Sequence, residues 1–83
     1  MNTDPPEDTE AQLRWLIEQA EKSYSDLYEA TSASAATASY SDAKEFLYDA
    51  IGLARRLGKT AEAQRLSERL AHIKAVFRSQ FSS

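Results

Sequence analysis

Few side chains in this 83-residue sequence could take part in a reaction, because it contains one histidine, His72, and no cysteine. A metal centre normally draws on several such ligands, and an acyl-transfer triad needs a base beside its nucleophile. We expect His72 at the surface or boundary of the fold. The neighbouring carboxylates Glu7 and Asp8 lie in a polar segment that offers no cleft for acid–base catalysis. The sequence therefore predicts no catalytic residue, no metal site, no cofactor and a protein that is not an enzyme.

The basic residues of the second half could bind an anion. From residue 51 onward there are seven basic and two acidic residues, whereas residues 1–30 carry eight acidic and two basic ones. The net charge of −3 therefore combines an acidic and a basic part. Either the two parts face each other in the fold, or the basic part attracts an acidic partner. We predict one aromatic and five basic residues as partner-binding: Trp15, Arg55, Arg56, Arg65, Arg69 and Arg78.

The aromatic side chains are candidates for an interface. Trp15 precedes an apolar helix position by one residue, about 100° around the helix. It can cover the edge of the fold by packing against helix 3, or it can be exposed as an anchor for a partner. Tyr28, Tyr40 and Tyr48 are expected at the rim in the same way, with their hydroxyl groups in water.

Apolar residues at steps of three and four predict the elements that carry these side chains. Three helices are expected, over about residues 7–30, 41–57 and 61–80. Three amphipathic helices bury their apolar faces best as an all-α, antiparallel three-helix bundle. In that bundle helices 1 and 3 run parallel, so the acidic helix 1 can lie beside the basic helix 3.

The helix ends carry recognisable signals. Asp4 can cap helix 1 with Pro5 in its first turn, although Asp8 or Thr9 could be the cap instead. Gly58 suits the left-handed position that ends helix 2.

The parts of the chain outside the helices are predicted from composition. Residues 31–39 contain only serine, threonine and alanine. Serine and threonine weaken helices, so this segment is predicted to be a loop. Residues 1–5 are expected to be a flexible tail, and residues 6–81 a single domain.

The segment over residues 40–70 resembles the helical hairpin of tetratricopeptide repeats. Tyr40 precedes Ala43, Leu47 and Ala50, whose small–bulky–small spacing that family uses to pack two helices closely. Ser67 stands where the family prefers glycine, and the resemblance covers about a third of the chain. It implies protein or peptide binding without catalysis. An unrelated bundle with alanines at its helix crossings is the alternative interpretation.

These observations favour a small non-enzymatic protein–protein interaction module or accessory protein. A self-associating structural protein, pairing through helix 3 and Phe81, is one alternative. A nucleic-acid-binding protein that uses the basic half is another. No apolar run approaches the roughly 20 residues of a membrane span, and no signal peptide is recognised. We therefore expect a cytoplasmic protein that binds another protein or itself, with no membrane contact and no small-molecule substrate.

Overall fold

The computed structural model describes residues 9–81, which form three α-helices and no strand. Helix α1 spans Glu10–Glu29, α2 spans Ala33–Arg56 and α3 spans Thr60–Phe81. Helix α2 lies between the other two and packs against both, whereas α1 and α3 meet mainly through long side chains. The Cα trace measures 39 × 33 × 13 Å, so the bundle is flat. The predicted all-α three-helix fold is confirmed.

Helix α1 begins at Glu10, three residues after the approximate start predicted at residue 7. Thr9 has an extended backbone, and its Oγ1 accepts a hydrogen bond from the backbone N–H of Gln12 at 3.1 Å. This is the N-cap geometry that satisfies one of the free N–H groups of the first turn. The alternative cap Thr9 is therefore the one used. The predictions for Asp4, Pro5 and the tail over residues 1–5 lie outside the described residues.

The predicted loop over residues 31–39 is wrong, because α2 begins at Ala33. Ser32 caps this helix by accepting a hydrogen bond from the backbone N–H of Ala35 at 3.1 Å. One turn on, the Thr37 hydroxyl donates to the carbonyl of Ala33 at 2.9 Å. The hydroxyl groups thus satisfy helical backbone groups instead of breaking the helix. Ala36 is fully buried in the core, so this small residue fixes the first turn of α2 against the rest of the fold.

A short turn around Gly58 joins α2 to α3. Gly58 has φ +76°, its N–H donates to the carbonyl of Arg55 at 3.0 Å, and the N–H of Lys59 donates to the carbonyl of Ala54 at 2.8 Å. These two bonds form a Schellman motif, which satisfies the last carbonyls of α2. The predicted left-handed role of Gly58 is confirmed. Helix α3 then begins at Thr60, one residue earlier than predicted.

The core is apolar and rich in alanine. Ala20, Ala36, Ala43, Ala50 and Ala54 are fully buried. The largest fully buried side chains are Leu27, Leu47, Leu53 and Ile73. Apart from the Tyr24 hydroxyl group, the buried side chains of the described residues carry no polar or charged group. Any functional chemistry of the described part of the chain therefore lies on its surface.

Candidate functional site

Ion pairs connect α1 to α3 and to the turn that precedes α3. The Nε and Nη2 atoms of Arg69 donate to the two carboxylate oxygens of Glu21 at 2.9 and 2.6 Å. The same guanidinium lies 4.7 Å from the ring centroid of Tyr24, and the hydrogen bonds to Glu21 raise the pKa of Arg69. At the other end Lys59 pairs with Glu10, and its hydrogen bond and charge lower the pKa of that carboxyl. The acidic residues of α1 therefore face basic residues of the second half of the chain. This agrees with the interpretation that the acidic and basic parts of the sequence face each other in the fold.

His72 lies at the surface, beside the contacts between α1 and α3. Its Nε2 is 3.3 Å from the hydroxyl oxygen of Tyr24, which is 2.9 Å from that of Tyr28. Burial, followed by the hydrogen bond with Tyr28, raises the pKa of Tyr24 to about 12. The boundary position predicted for His72 is confirmed. Within residues 9–81 no three histidine, aspartate or glutamate side chains are close enough together to hold a metal ion.

Trp15 packs against α2 and not against helix 3, which corrects that part of the prediction. Its half-buried ring meets the ring of Phe46 edge-on, with centroids 5.8 Å apart and planes at 84°. The physical reason is rotation about α1: Trp15 lies six residues before Glu21, about 120° away from the side that faces α3. Its place at the edge of the bundle is confirmed.

The predicted partner-binding arginines do not form one surface. Arg69 is held by Glu21, and Arg65 lies 3.8 Å from Glu62 in an exposed pair. Arg55 and Arg56 are exposed in the last turn of α2. That end of α2 adjoins the start of α3, whereas Arg78 lies 18 residues into α3, roughly 27 Å along its axis. The arginines predicted as a set therefore occupy at least three separate places.

A different basic surface lies across α2 and α3. We call it the tyrosine–lysine face, and it consists of Tyr40, Lys44, Tyr48, Lys74 and Arg78. On α2 the first three follow at intervals of four residues, and on α3 the last two do the same, so each set forms a row along one helix side. Two contacts join the rows. The Tyr40 ring stacks on Phe77 with centroids 3.9 Å apart, and Lys74 Nζ donates to the hydroxyl oxygen of Tyr48 at 2.8 Å.

The lysines of this face are held against aromatic rings. Lys44 Nζ lies 4.5 Å from the ring centroid of Tyr40, and Lys74 Nζ lies 5.3 Å from that of Tyr48. The hydrogen bond from Lys74, and then its charge, lower the pKa of Tyr48. Among the described residues, no carboxylate lies within ion-pair distance of Lys44, Lys74 or Arg78. In contrast, Lys59 and Arg69 are each paired with a carboxylate of α1.

The sequence analysis included Arg78 but missed Lys44 and Lys74. The four-residue spacing of Tyr40, Lys44 and Tyr48 is visible in the sequence. What the sequence does not reveal is that the side of α3 carrying Lys74 meets this row. That meeting depends on how α2 and α3 are rotated and aligned, which only the packed structure fixes.

The concave features of the surface are shallow. A groove of about 310 Å³, open to solvent, lies where the end of α1 meets the second half of α3. It is lined by Tyr28, His72, Ala75, Val76, Ser79 and Gln80. A smaller groove of about 100 Å³ lies between the first turns of α1 and α3. Because no buried polar side chain lines either groove, neither one resembles an enzyme pocket.

No protein-family model, no curated protein and no solved structure matches this sequence. The resemblance to the tetratricopeptide hairpin therefore stays a prediction. Ala43, Leu47 and Ala50, which carry that resemblance, are all fully buried in the helix crossings. None of the helices formed by residues 9–81 is long and apolar enough to cross a membrane.

Proposed function

We propose that this chain is a small non-enzymatic interaction module that binds another protein through its tyrosine–lysine face. The observation that supports the proposal is that Lys44, Lys74 and Arg78 lie together with two tyrosines, and no carboxylate of residues 9–81 pairs with them. This arrangement occurs on a chain whose net charge is −3. Tyrosine and arginine are the residues most enriched at the energetic centres of protein interfaces.

Pairing explains why this face is favoured over Arg65 and Arg69, two of the arginines first predicted. A cation already bound by a carboxylate gains little from a second one and must lose the first. Arg69 would have to give up two hydrogen bonds to Glu21. Lys44 instead lies against the Tyr40 ring, and Lys74 is hydrogen-bonded to the Tyr48 hydroxyl group. These contacts hold the two ammonium groups in place and leave them attractive to an anion. Because their positions are fixed in advance, less side-chain freedom is lost on binding.

The experiment is affinity capture from native lysate with matched variants. The double substitution Lys44→Gln with Lys74→Gln removes two cations from the face. The control, Arg14→Gln with Lys22→Gln, removes two exposed cations from α1, and both variants change the net charge from −3 to −5. Circular dichroism spectra establish that both variants keep the fold.

A protein captured by the wild type and the control, but lost with the face variant, is the result we expect. Equal capture by both variants would refute the face as the binding surface. Two further readouts address the other functions considered. Capture that disappears after nuclease treatment would indicate nucleic-acid binding, and a mass that rises with concentration for the chain alone would indicate self-association.

A further inference from the structure

The cations of the tyrosine–lysine face lie on two antiparallel helices. Tyr40 contacts Phe77, and Tyr48 contacts Lys74, so the α2 row runs antiparallel to the α3 row. Lys44 lies one turn from each tyrosine, and Arg78 lies one turn beyond Lys74. A spacing of four residues advances about 6 Å along a helix, and the axes of packed helices lie roughly 8–10 Å apart. The three charges are therefore carried by two adjacent helices.

The donors of this face are side chains only. Tyr40, Lys44 and Tyr48 lie at least seven residues after the first residue of α2, where backbone N–H groups are used within the helix. Compact phosphate sites instead draw on helix N-termini or on successive free backbone N–H groups. A face without such groups suits several separate carboxylates, each near one cation, and the Arg78 fork can bind one of them bidentately.

The Tyr40 ring of this face does not offer a platform for nucleic-acid bases. Phe77 stacks on the Tyr40 ring, and Lys44 Nζ lies 4.5 Å from the centroid of that ring. Lys74 Nζ lies 5.3 Å from the ring centroid of Tyr48. Binding of single-stranded nucleic acid relies on bases that stack on free aromatic faces. The side of Tyr48, which is 54% exposed, is instead available for contact with an apolar side chain.

We infer that the tyrosine–lysine face binds an acidic peptide segment of a partner protein, in which carboxylates about one helical turn apart flank an apolar side chain. This inference rests on the proposed function and specifies its partner. The inference that the segment is acidic is based on charge complementarity. Three cations lie on this face, and no carboxylate of the described residues competes for them. The apolar residue of the segment would contact the exposed side of Tyr48.

The test is a titration of the full ¹⁵N-labelled chain, followed by nuclear magnetic resonance, with a capped peptide of about 12 residues. The peptide carries glutamates at four-residue intervals with leucine between them, and its control has glutamine in place of every glutamate. We expect the glutamate peptide to shift amide signals around Lys44, Tyr48 and Lys74. We also expect it to bind about tenfold more tightly than the glutamine peptide at low salt.

The matched variants complete the test. Lys44→Gln with Lys74→Gln should weaken binding of the glutamate peptide about tenfold, and Arg14→Gln with Lys22→Gln less than twofold. Equal binding of the two peptides, or shifts confined to α1, would overturn the inference. So would an oligothymidylate of about 12 nucleotides that binds this face more tightly than the glutamate peptide does. If the face variant loses its captured protein but the peptide fails to bind at millimolar concentration, the inference is wrong and the proposed function stands.

Discussion

Replacing each of the two glycines with alanine should change stability in opposite directions. Gly52 lies inside α2, where a Cβ atom would be 3.6 Å from Nη1 of Arg56, an ordinary contact. Alanine there removes the backbone freedom that glycine has in the unfolded chain, which should stabilise the protein by about 0.5–1 kcal/mol. Gly58 has φ +76° and no atom within 4 Å of an added Cβ, so its substitution costs backbone strain alone. That strain is about 1–2 kcal/mol.

These magnitudes are large enough to measure. For a domain of 60–100 residues, 1 kcal/mol shifts the Tm by roughly 4–8 °C. Gly52→Ala should therefore raise the Tm by several degrees, and Gly58→Ala should lower it by roughly 4–16 °C. The assay is urea and thermal unfolding followed by far-ultraviolet circular dichroism, with unchanged m-values as the check on two-state behaviour.

Gly58→Asn serves as the control for the mechanism. Asparagine tolerates the left-handed conformation better than alanine, so it should cost less than Gly58→Ala. If both alanine variants shift the free energy of unfolding in the same direction, the reasoning is refuted. It is also refuted if asparagine at position 58 costs more than alanine.

Three further predictions concern the cap of α2, the ion pair between Arg69 and Glu21, and the ionisation of the tyrosines. Ser32→Ala should lower the free energy of unfolding by about 1 kcal/mol in urea melts, and an unchanged value would refute its role as the cap of α2. Arg69→Ala and Glu21→Gln should show a coupling of about 0.5–1 kcal/mol in a double-mutant cycle, because the pair is bidentate but partly exposed; additive effects would contradict this. In a phenolate absorbance titration Tyr48 should ionise early and Tyr24 last, at about pH 12. Since the pKa of Tyr24 is raised on folding, its contribution to stability is complete below pH 10 and is lost as the pH rises from about 10 to 12; a stability that stays flat there would contradict its burial.

The fold was largely predictable because its periodic signals agree with one another. The apolar stripes placed all three helices, and Gly58 marked the turn between the second and third. The start of α2 was not predictable from propensity, because Ser32 and Thr37 use their hydroxyl groups to support a helix that such residues usually weaken. Ala36 is fully buried in that turn, and its burial depends on the packing of the whole bundle.

The candidate site was less predictable than the fold. Counting charges pointed to the basic second half, but it could not separate paired from unpaired cations. Arg69 and Lys74 are both basic residues of α3, yet one is bound by Glu21 and the other lies against Tyr48. Lys74 lies five positions after Arg69, which corresponds to about 140° around the helix, so the two side chains face different neighbours. Which neighbour each one meets is fixed by the order and rotation of the packed helices.

The flat arrangement of the helices has a consequence for folding kinetics. Each helix packs on the helix next to it in sequence, and α1 meets α3 mainly through side chains such as Glu21 and Arg69. The connections are short, so the chain closes only small loops to bring its helices together. Helical bundles with such local contacts fold in microseconds to milliseconds. We expect the hairpin of α1 and α2 to form without α3, and the ion pairs to α1 to form last.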